Sequence, residues 1–133
     1  FKVYGHNQTR AFCYVDDAVR GTVEAMESDA AKGQIYHIGN REEINMDQLT
    51  TYIGGLMEYS GAYEPADTYP GSVDRRCPNI DKAVSDFGYS PKNGWKQAVR
   101  LTVEWYQEFF ASGKTPESGG FEPPEKILES MMK

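Results

Sequence analysis

The sequence predicts an α+β domain that is mostly helical, with a few short strands. Residues 1–4 and 10–15 are rich in aromatic and β-branched residues, as strands are, and a turn at residues 5–7 separates them. Apolar residues recur at helical spacing in three later segments, and a capping aspartate predicts a further short helix. With 133 residues, 39% of them hydrophobic, the chain is long enough to form one domain with its own core.

The chain begins with the two strands, which we expect to pair as a hairpin. Asp16 and Asp17 then predict the N-cap of the first helix, because short acidic side chains accept hydrogen bonds from its free backbone N–H groups. The apolar positions of this helix, together with Thr22, are Val15, Val19, Val23 and Met26. Residues 28–33 end the helix, and residues 34–38 predict a third short strand.

The second helix is predicted from a capping box. Asn45 is a good N-cap, and Gln48 stands three residues later, where its side chain reaches back to the cap. The apolar face consists of Met46, Leu49, Ile53, Leu56 and Met57. Gly54 and Gly55 weaken a helix, and we expect close packing against another element to explain them.

The second half of the chain is predicted to contain two further helices. Residues 59–74 are polar and contain proline, which indicates an extended segment. Asp81 predicts the cap of a third helix that ends near Gly88. The fourth helix carries Trp95, Ala98, Val99, Thr102, Val103, Tyr106 and Phe110 at helical spacing. Residues 112–124 predict a linker, and residues 125–132 a frayed terminal helix.

Composition excludes several classes of function. The formal net charge of −6 disfavours nonspecific binding to nucleic acid or to acidic membranes. The sequence has no apolar run as long as a membrane span and no signal-peptide pattern, so we expect a cytoplasmic protein without a nucleic-acid or membrane partner. The first residue is Phe rather than Met, which indicates a fragment or a processed chain.

The cysteines and histidines offer little chemistry. Cys13 and Cys77 lie far apart, which predicts free thiols rather than a disulfide framework or a zinc cluster. Cys77 stands beside two arginines, and we interpret it as a bystander rather than a nucleophile. His6 and His37 lack the neighbouring ligands of a metal site, so no metal is expected. We expect His37 to be packed or hydrogen-bonded within a strand.

Carboxylates that stand side by side do not require a catalytic interpretation. Helix capping explains Asp16 and Asp17 more simply than a paired-carboxylate site does. Glu42 and Glu43 follow Arg41, and we expect them to form a solvated turn.

Three arginines are the best candidates for binding a ligand. Arg10 stands at the start of a predicted strand, and Arg75 and Arg76 follow the extended segment. A guanidinium is a rigid planar fork that suits the oxygens of a diphosphate. The alternative is that they form solvated surface salt bridges, and for Arg75 the two interpretations are about equally good.

Several strings, in order, resemble the C-terminal part of the extended short-chain dehydrogenases/reductases, the NAD-dependent epimerase/dehydratase family. They are Tyr4-Gly5-x-x-Gln8-Thr9-Arg10-x-Phe12-x-Tyr14-Val15-x-Asp17, Tyr36-His37-Ile38-Gly39-Asn40, Arg76-Cys77-Pro78-x-Ile80 and Thr102-Val103-Glu104-Trp105-Tyr106. The resemblance is greatest to UDP-glucuronate decarboxylases, with dTDP-glucose 4,6-dehydratases next. It covers residues 1–111, predicted as a nucleotide-sugar-binding lobe, and leaves residues 112–133 as linker and tail.

The resemblance implies a substrate site and partners. Arg10 and Arg76 would hold the diphosphate of a UDP- or dTDP-sugar, most simply UDP-glucuronate, with Gln8 nearby and Arg75 as a further candidate. The family oxidises the sugar at C4 with a tightly bound NAD before elimination, epimerisation or decarboxylation. The expected partners are a Rossmann lobe of the same polypeptide and further copies in a homo-oligomer.

The catalytic parts of the family are missing from this sequence. It contains neither a Gly-x-x-Gly-x-x-Gly loop for NAD nor a Tyr-x-x-x-Lys pair. We therefore assign no catalytic residue and no NAD site, and expect no turnover from this chain alone. The alternatives are a non-catalytic module that binds a nucleotide diphosphate and a subunit-interaction module.

Overall fold

The structure, a computed structural model, describes residues 1–113, and this part confirms the α+β class. The predicted linker from residue 114 onward and the predicted terminal helix lie outside the described residues. The elements are β1 (Lys2–Tyr4), β2 (Thr9–Ala11), α1 (Val15–Glu27), a 3-10 turn (Asp29–Ala31), β3 (Glu43–Asn45), α2 (Met46–Leu56), β4 (Glu64–Ala66), β5 (Arg75–Arg76), α3 (Asp81–Phe87) and α4 (Trp95–Ala111). The chain divides into two compact units, Phe1–Arg100 and Leu101–Lys133, which are described separately.

The predicted hairpin of β1 and β2 is wrong. β1 pairs in parallel with β4, while β2 is the centre of a second sheet, antiparallel to β3 and parallel to β5. Gly5 has φ 63° and accepts a 2.8 Å hydrogen bond from the backbone N–H of Gln8, so the chain turns tightly between the two strands. The edges of the two strands pair with segments that are distant in the sequence. For example, the backbone N–H of Gly5 donates to the carbonyl of Ala66 at 3.0 Å.

The predicted strand at residues 34–38 is also wrong, because this segment is tied down by side chains rather than by a ladder. The hydroxyl of Tyr36 donates to Asp86 of α3 at 2.7 Å, and the ammonium of Lys82 donates to Gln34 at 2.7 Å. His37 is exposed and lies in no strand, so its predicted packing there is wrong as well.

The helix boundaries test the capping predictions. The capping box of Asn45 and Gln48 is confirmed. The cap of α1 is Tyr14, without a side-chain hydrogen bond, so the capping role of Asp16 and Asp17 is wrong. Asp81 is the first residue of α3 rather than its cap.

At the start of α3, the side-chain oxygen of Asn79 accepts a 2.8 Å hydrogen bond from the backbone N–H of Asp81. The helix ends where predicted, at Gly88, whose φ of 73° suits glycine. The expected close packing at Gly54 and Gly55 is wrong, because a Cβ at either position would meet no atom within 4 Å.

The core of the first unit lies beneath Tyr89, which is fully buried. Its hydroxyl donates to the carbonyl of Gly39 at 2.9 Å, and the Cys13 sulfur lies 3.8 Å from the same hydroxyl. Burial, and then the contact with Cys13, raise the pKa of Tyr89 above its usual range, so the phenol stays neutral. The residues packed with it are Ile80, Ala83, Tyr36, Ile38 and Phe87.

One face of α1 is apolar but not buried. Val15, Val19, Val23 and Met26 recur every three or four residues, and their side chains are 45–81% exposed. Ile35, outside the helix, is 86% exposed. Apolar stripes of this kind are typical of surfaces that other protein surfaces cover. Within residues 1–113, no helix has the length and apolarity needed to span a membrane.

Candidate functional site

The sheet of β2, β3 and β5 brings the predicted arginines together. β2 and β5 are parallel neighbours, in a register that pairs Arg10 with Arg76 and Thr9 with Arg75. Paired residues of neighbouring strands project to the same face, and successive residues alternate. Arg10 and Arg76 therefore share one face of the sheet, although 65 residues separate them in the sequence.

Gln8 lies at the edge of this arginine pair and is 8% exposed. Its side-chain oxygen accepts hydrogen bonds from the guanidinium of Arg10 at 3.0 Å and from the hydroxyl of Ser72 at 3.1 Å. The Nε2 atom of Gln8 is buried and has no hydrogen-bond partner among the described residues. Buried polar atoms without a partner are rare in proteins, and a donor left open in this way is available to a group from outside the chain.

Gly5 allows Gln8 to take this position. Its φ of 63° lies in the left-handed region, and a Cβ there would come within 2.8 Å of the Gln8 side-chain carbon Cδ. Glycine is the residue that satisfies both conditions.

Arg10 is half-buried and is held by neutral acceptors. Its Nη1 donates to the carbonyl of Thr9 at 2.7 Å and, more weakly, to that of Asp74 at 3.4 Å, and its Nη2 donates to Gln8. Among residues 1–113, no carboxylate pairs with Arg10 or with the exposed Arg76. Two arginines on one sheet face without counter-charges are a chemically favourable setting for an anion.

Arg75 is used differently. Its Nε and Nη2 contact both carboxylate oxygens of Glu43 at 2.8–3.0 Å, and the hydroxyl of Thr9 donates to the same carboxylate. The hydrogen bond from Arg75, followed by that from Thr9, lowers the pKa of Glu43. Arg75 thus clamps β5 to β3 and supports the pairing that carries Arg10 and Arg76.

The two glutamates predicted to form a solvated turn have structural roles instead. Glu43 opens β3 and binds Arg75, as described above. Glu42 accepts a 2.6 Å hydrogen bond from the backbone N–H of Trp95, the first residue of α4. Both partners are more than 30 residues away in the sequence, so no local pattern identifies them.

An exposed aromatic pair borders the arginine site. The rings of Tyr4 and Tyr69 stack with centroids 4.9 Å apart, and both remain about half exposed or more. Tyr69 accepts a 3.1 Å backbone hydrogen bond from Ser72, whose hydroxyl contacts Gln8. The sequence provides no signal for this pair, because its members come from β1 and from a loop about 65 residues later.

The described residues carry neither a cluster of metal ligands nor an NAD-binding turn. Residues 1–113 contain no cluster of three or more His, Cys, Asp or Glu side chains that would hold a metal ion. NAD binding in a Rossmann-type lobe requires a glycine-rich turn between a strand and a helix, and no such turn occurs among these residues. The residues present therefore do not fit NAD.

Several known proteins with similar sequences are nucleotide-sugar dehydratases or decarboxylases. No protein-family model matches the chain. It is 28% identical to human dTDP-D-glucose 4,6-dehydratase over 83% of this chain and 33% of that protein. It is 31% identical to UDP-N-acetyl-alpha-D-glucosaminuronate decarboxylase of Bacillus cytotoxicus, over 80% of this chain and 35% of that protein. It is 34% identical to UDP-glucuronic acid decarboxylase 6 of Arabidopsis thaliana, over 73% of this chain and 28% of that protein.

Solved structures agree on the fold. UDP-glucuronic acid 4-epimerase from Bacillus cereus, in complex with UDP-glucuronic acid and NAD, matches 81% of this chain with a TM-score of 0.73 and 24% identity. dTDP-glucose 4,6-dehydratase from Streptomyces venezuelae, with NAD bound, matches 81% with a TM-score of 0.72 and 25% identity. The matched part is 35% and 34% of those chains. The chain belongs to the NAD-dependent epimerase/dehydratase family of extended short-chain dehydrogenases/reductases, and it spans about a third of the length of the relatives it matches.

Proposed function

We propose that this chain is the substrate-binding portion of a cytoplasmic nucleotide-sugar epimerase, dehydratase or decarboxylase, and that it holds the diphosphate of a UDP- or dTDP-sugar. UDP-glucuronate is the preferred substrate, because the Arg-Cys-Pro and Cys-Tyr-Val-Asp-Asp strings resemble those of UDP-glucuronate decarboxylases. The observation that carries the proposal is the pairing of Arg10 with Arg76 on one sheet face without a carboxylate partner in the described part of the chain.

The surroundings of the arginine pair support a nucleotide ligand. The chain as a whole carries a net charge of −6, so two uncompensated arginines on one face of a sheet run against its general charge. The orphan Nε2 of Gln8 is a donor that a phosphate or sugar oxygen would satisfy. The exposed Tyr4 and Tyr69 rings offer a flat surface on which a pyrimidine base would stack.

In this proposal, NAD and the catalytic groups belong to another lobe of the enzyme. The described residues offer no cradle for NAD, and the sequence lacks the Tyr-x-x-x-Lys pair. We expect calorimetric titration of NAD into this chain alone to show no binding. Binding of NAD at micromolar strength would contradict the assignment of the NAD site to another lobe.

Replacing either arginine of the pair by alanine should weaken UDP binding. In the enzyme that joins this chain to its NAD-binding lobe, Arg10→Ala and Arg76→Ala should each lose about 1.5–3 kcal/mol of binding free energy, the value of a charge-assisted hydrogen bond. Arg→Lys should restore only part of it, because lysine lacks the bidentate fork. Calorimetric titration with UDP measures the effect.

Arg41 provides the matched control for this experiment. It is an exposed arginine on the same unit, but it pairs with Asp81 at 3.0 Å, so Arg41→Ala should leave UDP affinity unchanged. Equal affinities for the Arg10, Arg76 and Arg41 variants would remove the arginine pair from the phosphate site.

The exposed face of α1 favours a second role, as a surface that docks on the other lobe or on another subunit. We expect this chain alone to self-associate through the stripe of Val15, Val19, Val23 and Met26, because uncovered apolar side chains recruit other surfaces. Val19→Glu together with Val23→Glu should shift it toward monomer in light scattering across a dilution series. Glu substitutions at Ala30 and Lys32, which are exposed and lie beyond the end of α1, are the control. A wild-type chain that stays a compact monomer at high concentration would contradict the idea.

A further inference from the structure

A chain of hydrogen bonds links the loop before β5 to the guanidinium of Arg10. The hydroxyl of Ser72 donates to the side-chain oxygen of Gln8 at 3.1 Å, and Nη2 of Arg10 donates to the same oxygen at 3.0 Å. An arginine only donates, so the oxygen of the amide, rather than its nitrogen, faces Arg10. The two donors together use both lone pairs of that oxygen. Gln8 is thus the junction between Ser72 and Arg10.

The acceptors around Arg10 fix its position without cancelling its charge. They are the backbone carbonyls of Thr9 and Asp74 and the side-chain oxygen of Gln8, all of them neutral. The positive charge therefore stays available to an anion. A side chain that is ordered before the ligand arrives loses less conformational entropy on binding, and this favours affinity. Holding the Arg10 guanidinium in place is consequently a way to strengthen an anion site.

Ser72 stands on the segment that delivers the second arginine of the pair. Four residues after it, β5 places Arg76 beside Arg10. The backbone N–H of Thr9 donates to the carbonyl of Asp74 at 2.8 Å just before this strand. The hydroxyl of Ser72 adds a side-chain tie to these backbone contacts. It therefore connects the two segments that carry the arginines.

We propose that Ser72 is a positioning residue of the substrate site, which holds Gln8 so that Gln8 holds Arg10 in the orientation that receives the diphosphate. The inference rests on the proposed function and adds to it a residue that acts through others. When a phosphate draws the donors of Arg10 toward itself, Ser72 is the donor that keeps Gln8 in place. No local pattern identifies this role, because Ser72 lies 64 residues after Gln8.

Calorimetric titration of UDP into the enzyme that joins this chain to its NAD-binding lobe tests the proposal. Ser72→Ala should weaken UDP binding about threefold to tenfold, which corresponds to the loss of one hydrogen bond. Ser72→Thr keeps the hydroxyl and should restore most of the affinity. Thr68→Val is the matched control, because it removes an exposed hydroxyl from the same loop, and it should leave UDP affinity unchanged.

A double-mutant cycle tests whether Ser72 acts through Gln8. Gln8→Met keeps an unbranched side chain of similar length but removes the oxygen that accepts both hydrogen bonds. In this background, Ser72→Ala should change UDP affinity by less than about twofold, because the contact that it removes is already lost. If Ser72 only stabilised its own loop, the substitution would cost the same affinity in both backgrounds.

The outcomes separate this inference from the proposed function. Unchanged UDP affinity in Ser72→Ala, alongside a loss in Arg10→Ala, would overturn the positioning role and leave the proposed function standing. A loss that persists undiminished in the Gln8→Met background would also overturn it, since Ser72 would then act by another route. If Arg10→Ala and Arg76→Ala both bind UDP as the wild type does, the proposed function fails and this inference fails with it.

Discussion

Asp17→Ala is expected to lower the free energy of unfolding by about 3 kcal/mol, because it removes the acceptor of a buried hydrogen-bond network. Asp17 is 2% exposed. Its carboxylate accepts 2.9 Å hydrogen bonds from the backbone N–H groups of Lys92 and Asn93 and a third, at 3.1 Å, from the amide of Asn93. Arg20 adds an ion pair at 2.7 Å. Without Asp17, these donors are left without their acceptor, and the loop before α4 loses its anchor.

The same network predicts a loss of stability in acid. Burial by itself raises the pKa of Asp17, but the hydrogen bonds from Lys92, Arg20 and Asn93 outweigh it and lower the pKa to about 2. A carboxyl whose pKa is lower in the folded protein than in the unfolded chain stabilises the fold at pH values above its unfolded-state pKa. This contribution is lost as the pH falls from about 4 toward 2. The shift corresponds to about 2 kcal/mol, and Asp17→Ala should lose this part of the pH dependence.

Urea unfolding of the wild type and of two variants at several pH values provides the measurement. Asp16→Ala is the matched control, because Asp16 is the neighbouring carboxylate but is exposed, and its removal should change stability by less than about 0.5 kcal/mol. Equal losses in the Asp16 and Asp17 variants would show that the buried network does not contribute as described.

Asp17 also illustrates which features a sequence predicts. Elements whose determinants lie within a few residues were predicted correctly, such as the capping box of Asn45 and Gln48 and the end of α3 at Gly88. An aspartate at a helix start satisfies the same local rule, but the partners of Asp17 lie 75 and 76 residues later. The local rule therefore predicted a cap where the structure has a tertiary anchor.

The candidate site also has features that the sequence predicts and features that only the tertiary structure reveals. The resemblance predicted that Arg10 and Arg76 act together, and the β2–β5 register brings their backbones side by side. The resemblance did not predict that Arg75 has a different role. That role depends on Glu43, which β3 places on the sheet face opposite Arg10 and Arg76. The pairing partner of β1 was missed for the same reason, since β4 begins 60 residues after β1 ends. Side chains brought together by tertiary structure leave no local pattern to detect.

Gly21→Ala is expected to lower the free energy of unfolding by about 2 kcal/mol, although alanine is the better helix former. Gly21 is buried in α1, and a Cβ there would lie within 2.8 Å of both the Tyr89 ring and the Ile38 side chain. The ring has little room to yield, because it is fully buried and its hydroxyl is bound to Gly39. Overpacking of a core of this kind costs about 1–3 kcal/mol, more than the helix propensity returns.

Gly54→Ala is the matched control, since it makes the same change within a helix but in open space. A Cβ at Gly54 meets no atom within 4 Å, so only the gain in helix propensity, about 0.5–1 kcal/mol, remains. Chemical unfolding should therefore show opposite signs for the two substitutions. A Gly21→Ala variant as stable as the wild type would mean that the helix and Tyr89 separate easily. The tight approach of α1 to the core would then not be what holds this unit together.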